Sequence, residues 1–255
     1  MKLFTPDQLP ETAGSMHLYY GRAGVGKSVS TIQSAPDPIL YIMVEPRDVK
    51  KFLTASGRGD VQIQFAFPEG WDDTIAFVND LANFENFNSV VLDSISHLIS
   101  ISLSNEIEDE AFDSLDKKKG IDKPLAIRTK MSQEGYGALA GQMLRFTDAI
   151  SRLSQVGKTV VCLAREEQNP KFNRALQGAP ALKGQEYSKH MQGFFDFIGY
   201  VYDRSDENGN TVFPPLVSFE SDGSYWCKWN GLRPEGGLSG KPFNIQRIIE
   251  VSQGK

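Results

Sequence analysis

The chain has 255 residues and a formal net charge of −5 at pH 7, with 40% hydrophobic and 23% charged residues. This composition is typical of a soluble protein with a sizeable core, and we expect one domain over residues 1–255. No apolar run is long enough to span a membrane, and the first residues lack the apolar stretch of a signal peptide, so we expect a cytoplasmic protein. The acidic net charge argues against nucleic-acid binding by bulk electrostatics, although a local basic loop is compatible with it.

Apolar runs and turn residues predict the elements in chain order. Residues 1–14 contain two prolines and are predicted to be an extended lead-in. The predicted strands cover residues 16–20, 39–44, 61–67, 89–93 and 158–164. The predicted helices begin at about residue 28 and after Pro46, and cover 72–84, 95–107 and 139–153. This alternation predicts an α/β fold with a mostly parallel central sheet.

Two polar segments interrupt this pattern. Residues 105–130 are strongly charged and poorly patterned, so they are predicted to be a mobile insertion. Residues 165–192 contain proline, glycine and basic residues without a clear period, which predicts a loop.

The C-terminal part predicts further strands. Strands over 194–202 and 212–219 flank a hairpin turn at 206–210, and a third strand is expected over 225–229. Residues 203–255 are therefore predicted to be a β-rich antiparallel extension. Trp226 and Trp229 alternate around Lys228, which is compatible with a platform for nucleobases or with packing on a sheet face.

The strongest motif is GRAGVGKS at Gly21–Ser28, a complete match to G-x-x-x-x-G-K-[ST] between a predicted strand and a predicted helix. Its glycines allow backbone N–H groups to point at phosphate oxygens, and the start of the helix favours the same anion. Lys27 can reach the β- and γ-phosphates, and the Ser28 hydroxyl can ligate Mg²⁺. The motif therefore predicts ATP and Mg²⁺ as cofactors. The predicted nucleotide-binding residues are Gly21, Arg22, Ala23, Gly24, Val25, Gly26, Lys27, Ser28 and Val29.

Polar residues at the ends of three predicted strands complete the expected site. Asp93 ends a strand that we expect beside the P-loop strand, where its carboxylate can hold Mg²⁺ together with Ser28; capping of the next helix is the alternative. Glu45 is the candidate base for the attacking water, unless it caps the helix after Pro46, and Asp48 is disfavoured because it falls inside that helix. Arg165 directly follows a predicted strand and either contacts the γ-phosphate or pairs with a neighbouring glutamate.

These motifs resemble those of RecA-like ATPases, more closely the compact phage ATPases with a RecA core that act in single-strand annealing and recombination. The resemblance is carried by Gly21–Ser28, Glu45, Val90–Ser94 and the stretches 179–184 and 195–200. It implies a RecA-like P-loop NTPase core, a water-activating role for Glu45, and contact of Lys183 with the γ-phosphate of a neighbouring subunit. It also implies that residues 165–192 are a DNA-contacting loop, with the DNA-binding candidates Lys171, Phe172, Arg174 and Lys183, which are otherwise explained as a solvated basic loop.

Taken with the resemblance, the sequence predicts a Mg²⁺-dependent ATPase that binds single-stranded DNA and promotes annealing or recombination, with the nucleotide state controlling DNA binding or subunit contacts. The expected partners are single-stranded DNA and further copies of the chain with ATP at their interfaces, and a single-strand-binding protein is a partner to test. If the chain is phage-encoded, its location is the host cytoplasm. A small-molecule or nucleotide kinase is a weaker alternative because the segment 105–130 has only one arginine, Arg128, for a phosphate-clamping lid. An ATP-gated interaction module is the third possibility.

Overall fold

The computed structural model describes residues 14–45, 47–107, 133–170, 173–221 and 223–255. The predicted lead-in up to residue 13, most of the predicted insertion at 105–130, and the DNA-binding candidates Lys171 and Phe172 lie outside these ranges. No helix in the described ranges combines the length and the apolar character that crossing a membrane requires.

The described residues form ten strands and the seven α-helices named below, and residues 104–107 are also helical. The strands are β1 (Ser15–Gly21), β2 (Ile39–Met43), β3 (Ile63–Ala66), β4 (Ser89–Asp93), β5 (Thr159–Gln168), β6 (Gly178–Pro180), β7 (Phe197–Ser205), β8 (Thr211–Ser218), β9 (Lys228–Trp229) and β10 (Lys241–Pro242). The helices are α1 (Lys27–Ser34), α2 (Val49–Ser56), α3 (Trp71–Asn79), α4 (Ile95–His97), α5 (Gln133–Gln155), α6 (Gln185–His190) and α7 (Ile245–Ser252). Helix α4 continues as a π-helix over Leu98–Leu103, and 3₁₀-helices cover Leu81–Phe84 and Met191–Phe194.

The central sheet has the strand order β10-β8-β7-β1-β5-β4-β2-β3, with β6 paired to β5 and β9 paired to β7. The six strands from β7 to β3 are parallel to their neighbours, whereas β8, β9 and β10 are antiparallel additions. The predicted α/β class, with a mostly parallel sheet and an antiparallel C-terminal extension, is confirmed.

Two hydrophobic cores cover the two faces of this sheet. Alternate residues of β1 divide between them, because successive side chains of a strand point to opposite faces. Met16, Leu18 and Tyr20 join the core that contains α5, and Tyr19 joins the core that contains α1 and α7. Strands buried on both faces read as continuous apolar runs, which is why β1, β2, β4 and the first half of β5 were predictable.

The prediction that residues 165–192 form a loop is wrong for most of that segment. Strand β5 runs through Arg165 to Gln168 and its last part pairs antiparallel with β6, and α6 follows. Arg165 therefore lies inside a strand instead of directly after it. The polar residues Glu166, Glu167 and Gln168 concealed this continuation, since they lack the apolar pattern of a buried strand.

Three smaller expectations also need correction. Helix α3 ends at Asn79 because Asp80 caps a separate 3₁₀-helix, so one helix over 72–84 does not form. The strand expected over 225–229 is reduced to β9, and the extension over 203–255 ends in α7, which was not predicted. The β7–β8 hairpin turn at 206–210 is confirmed: the backbone N–H of Asp206 donates to the carbonyl of Asn210.

Candidate nucleotide site

The candidate site lies at the carboxyl ends of β1 and β4 and beside the middle of β5, where α1 begins. A cavity at this edge is lined by Ala23, Gly24, Gly26, Lys27, Ser28, Val29, Arg47, Phe52, Asp93, Ser94, Ala164 and Arg165. β1 and β4 end level with residues 163–165 of β5, because Gly21 of β1 is in register with Arg165 of β5, and Leu163 of β5 is in register with Asp93 of β4. Ligands of open α/β sheets bind at this edge.

The glycine loop between β1 and α1 has the backbone that the motif requires. Gly24 and Gly26 have φ angles of +81° and +97°, a left-handed conformation that residues with a Cβ rarely adopt. Gly26 is the N-cap of α1, which starts at Lys27 and presents its free N–H groups to the cavity. Of the nine predicted nucleotide-binding residues, six line the cavity; Val25 is instead buried in the hydrophobic core, and Arg22 is exposed and pairs with Asp203.

Lys27 is fixed over the glycine loop. Its Nζ donates to the carbonyl oxygens of Gly21 and Arg22, each at 2.8 Å. The pKa of Lys27 is lowered to about 8, mainly by burial; the Asp93 carboxylate opposes this change, and the Arg47 guanidinium contributes to it. An ammonium group held by backbone carbonyls beside a glycine loop is suited to binding phosphate.

Ser28 and Asp93 meet in the cavity as predicted. The Ser28 hydroxyl donates to Oδ2 of Asp93 at 2.6 Å, and the buried Tyr41 hydroxyl donates to the same oxygen at 2.7 Å. The expectation that the Asp93 strand lies beside the P-loop strand is wrong, because β5 separates β4 from β1. Asp93 does not cap the next helix, since the Ser94 hydroxyl accepts the hydrogen bond from the backbone N–H of His97.

The donor set around Asp93 fits Mg²⁺. Carboxylate and hydroxyl oxygens are ligands that Mg²⁺ prefers, and Mg²⁺ is usually held by one or two carboxylates together with substrate phosphates. The described residues contain no group of three or more His, Cys, Asp or Glu side chains suited to an all-protein metal cage. Ser28 and Asp93 would therefore hold the ion jointly with nucleotide phosphates.

Glu45 lies two residues beyond the end of β2, next to the cavity. Its Oε1 accepts a hydrogen bond from the Ser94 hydroxyl at 2.9 Å, and Arg47 pairs with its Oε2. His97 Nδ1 lies 4.0 Å from Oε1. Burial acts to raise the pKa of Glu45, but the Ser94 hydrogen bond and the Arg47 charge outweigh it, so this pKa lies below its ordinary value.

The helix after Pro46 does not use Glu45 as its cap. The N-cap of α2 is Asp48, whose side chain accepts a hydrogen bond from the backbone N–H of Lys50. The expectation that Asp48 lies inside the helix is wrong by one position. Because Asp48 supplies the capping oxygen, the capping alternative for Glu45 no longer explains its position.

Of the predicted site residues Arg165, Arg174 and Lys183, only Arg165 is among the described residues that line the cavity. Arg165 is exposed and lines the cavity, and its backbone N–H donates to the Ser96 hydroxyl. Arg174 is exposed in the connection between β5 and β6. Lys183 is partly buried between β6 and α6 and is not among the described residues that line the cavity.

The aromatic residues near the C-terminus divide into two groups. Trp226 is buried, and Trp229 packs against Phe197 and Phe219, so these two tryptophans serve the core and do not form an open platform. Three tyrosines instead form a stacked row: the Tyr200 ring lies 3.9 Å from that of Tyr225 and 5.7 Å from that of Tyr202.

Sequence reasoning missed four side chains that shape the site. These are Tyr41, Arg47, Ser94 and His97. Ser94 and Arg47 are close in sequence to Asp93 and Glu45, so proximity to a strand end was an available signal for them. Tyr41 had no such signal, because it is one residue of a continuous apolar run.

Comparison with known proteins gives one family. The sequence profile described as AAA domain matches residues 13–226, which is most of the chain. A comparison with curated proteins finds no match. The matched region contains the cavity and ends shortly before β9.

Proposed function

We propose that this chain, which belongs to the AAA domain family, is a Mg²⁺-dependent ATPase. In this proposal, its nucleotide state controls the binding of single-stranded DNA in annealing or recombination. Nucleotide hydrolysis follows from the P-loop and the family together. The coupling of hydrolysis to DNA binding needs separate support.

The residues around the cavity support hydrolysis. The glycine loop and Lys27 bind the phosphates, and Ser28 and Asp93 hold the metal. Bound Mg²⁺ would neutralise charge on the phosphate oxygens. Glu45 accepts the proton of the attacking water, a role that requires an ionised carboxylate, and its lowered pKa favours that form at neutral pH.

The observation that carries the DNA part is the continuity of β5. Arg165 lines the phosphate cavity, and the same strand runs on to Gln168 and pairs with β6. The connection between these two strands includes the exposed Arg174, a side chain suited to contact a nucleic-acid backbone. A shift of Arg165 toward a γ-phosphate is thereby linked through a paired strand to the exposed Arg174.

A homo-oligomer with ATP at subunit interfaces is part of the same proposal. Lys183 follows β6 and is not among the described residues that line the cavity of its own chain. This position is compatible with contact to ATP held by a neighbouring subunit. A single-strand-binding protein remains a partner to test by pull-down.

The test is steady-state ATP hydrolysis with Mg²⁺ at low salt, with and without single-stranded DNA. We expect DNA to raise the rate. Lys27→Ala removes the phosphate-binding cation, and Glu45→Gln removes the base, so each is expected to lower the rate by about a hundredfold or more. Arg174→Ala is expected to reduce the stimulation by DNA and to leave the DNA-free rate unchanged.

Two substitutions outside the site serve as controls. Lys158 lies at the amino end of β5, at the opposite edge of the sheet, and Arg152 lies on α5. Lys158→Ala and Arg152→Ala are expected to keep both the basal and the stimulated rate. An ATPase rate that DNA does not change would contradict the proposed coupling to DNA. Full ATPase activity in Glu45→Gln would contradict the proposed role of Glu45.

A further inference from the structure

Arg47 bridges the candidate base and the phosphate cavity. Its guanidinium pairs with Oε2 of Glu45, and its side chain also lines the cavity. Glu45 itself is not among the described residues that line the cavity, although its two partners Arg47 and Ser94 are. In the arrangement described, Arg47 therefore presents a cation to the cavity at the place where the base would have to act.

The charge of Arg47 belongs to the same electrostatic environment as the phosphate-binding lysine. Burial acts to lower the pKa of Arg47, but the carboxylates of Asp93 and Glu45 raise it above its ordinary value. In turn, the guanidinium lowers the pKa of Lys27. Arg22 differs, because it pairs with Asp203 and is not among the described cavity-lining residues.

We propose that Arg47 is a γ-phosphate-binding residue that exchanges partners, pairing with Glu45 before ATP binds and with the γ-phosphate afterwards. The exchange exposes Glu45 to the attacking water only when a γ-phosphate is present. A guanidinium binds phosphate through two parallel N–H bonds, and a phosphate carrying two negative charges competes well against one carboxylate. The inference rests on the proposed ATPase function and assigns the residue that distinguishes ATP from ADP.

The test measures nucleotide binding without hydrolysis. Isothermal titration calorimetry with Mg²⁺ compares the non-hydrolysable ATP analogue AMP-PNP with ADP. We expect Arg47→Ala to weaken analogue binding by about tenfold to a hundredfold and ADP binding by less than about threefold. The affinity of Arg47→Lys for the analogue is expected to lie between those of Arg47→Ala and the wild type, because lysine keeps the charge but lacks the two parallel N–H donors of a guanidinium.

Arg58 offers a matched control. It is also an ion-paired arginine, but its partners are Asp37 and Asp60, and it is not among the described cavity-lining residues. Arg58→Ala should leave the ratio of analogue affinity to ADP affinity unchanged. Far-UV circular dichroism establishes that each variant is folded. An equal change of both affinities in Arg47→Ala, or no change, overturns the proposal.

A double-mutant cycle tests the exchange itself. Glu45→Gln removes the competing carboxylate, so it should strengthen analogue binding when Arg47 is present and have a clearly smaller effect in the Arg47→Ala background. Equal effects in both backgrounds would overturn the exchange. Wild-type protein that binds both nucleotides but never hydrolyses ATP would overturn the proposed ATPase, whereas the analogue-to-ADP comparison would still decide the role of Arg47.

Discussion

At the scale of single residues, the site depends on hydroxyl groups that orient carboxylates. Asp93 receives hydrogen bonds from Ser28 and Tyr41 on one oxygen, and Glu45 receives one from Ser94. These donors come from α1, β2 and the turn after β4, so each carboxylate is positioned by other elements of the fold. Such support fixes a functional side chain more precisely than its own rotamer preference does.

His17 is a buried titratable residue of β1 and is not among the described residues that line the nucleotide cavity. Its ring nitrogens lie within hydrogen-bond distance of the Ser15 and Tyr19 hydroxyls, at 2.7 and 2.8 Å. The ring is fully buried, and burial lowers the pKa of His17 from 6.5 to about 3. The folded protein therefore holds this histidine neutral, whereas the unfolded chain protonates it below about pH 6.5.

We predict that His17 makes folding sensitive to acid. Because the unfolded chain binds the extra proton between the two pKa values, stability is complete above about pH 6.5 and declines as the pH falls toward about 3. Between about pH 7 and pH 5 this residue accounts for a loss of about 2 kcal/mol. Urea unfolding of the wild type and of His17→Gln at both pH values measures the difference.

The quantity to compare is the change in the free energy of unfolding with pH, and not the free energy of unfolding at one pH. The glutamine of His17→Gln is uncharged at all of these pH values, so the stability of the variant should fall by about 2 kcal/mol less than that of the wild type over the same interval. Identical slopes for the wild type and His17→Gln would contradict the prediction.

At the scale of elements, short helices are anchored by caps at their first residues. Asp48 caps α2, and Ser94 caps α4. Asn244 caps α7: its Oδ1 accepts a hydrogen bond from the backbone N–H of Arg247 at 2.9 Å. The next residue, Ile245, donates its backbone N–H to the Ser34 hydroxyl at the end of α1, so the cap also fixes α7 against the P-loop helix.

We predict that Asn244→Ala lowers the free energy of unfolding by about 1 kcal/mol, because the helix loses the oxygen that satisfies a free backbone N–H. Asn244→Asp keeps such an oxygen and should retain most of the stability. Gln246→Ala, on the exposed side of the same helix, should change stability by less than about 0.5 kcal/mol. Urea unfolding measures all three, and equal losses in the alanine and aspartate variants of Asn244 would argue against capping.

The hairpin of β5 and β6 shows why an element can escape a sequence pattern. Its strands pair Glu166 with Pro180 and Gln168 with Gly178, which are polar or turn-forming residues. Gly178 is required by its surroundings, since a Cβ there would lie 2.9 Å from Glu166 Oε1 and 2.9 Å from the Tyr225 ring. The hairpin is therefore held by backbone pairing and close packing and not by an alternating apolar pattern.

At the scale of the whole molecule, the C-terminal residues complete a core that begins with β1. Phe243, Ile245 and Ile248 are buried together with Tyr19 and Ile32. The rings of Tyr19 and Phe243 lie 4.5 Å apart. The segment beyond the family match thus covers one face of the sheet that carries the P-loop.

We predict that the chain unfolds as one cooperative unit. Ile245→Ala removes a fully buried side chain and should lower the free energy of unfolding by about 2–5 kcal/mol. Tryptophan fluorescence and far-UV circular dichroism should report the same urea midpoint for the wild type and the same shifted midpoint for the variant.

Leu232 supplies the control, because its side chain is 62% exposed in the same C-terminal region. Leu232→Ala should change the free energy of unfolding by less than about 0.5 kcal/mol. Separate transitions for the two probes would contradict a single domain and would indicate that the C-terminal extension unfolds independently.

The sequence alone determined the local parts of this protein. The glycine loop, the strand before it and the helix after it are contiguous, and their residue types have few other uses. The strand that ends at Asp93 was predictable for the same reason, since a run of apolar residues followed by an acid is a local signal. The α/β class followed from the alternation of such segments.

The tertiary structure decided what depends on strand order and on pairing between distant segments. It placed β5 between β1 and β4 and still brought Ser28 within 2.6 Å of Asp93, and it set the Tyr41 hydroxyl on the same carboxylate. It also paired Arg47 with Glu45 at the edge of the cavity. Neither strand order nor side-chain direction is encoded in a short window of sequence, because both arise when separate apolar surfaces are buried together.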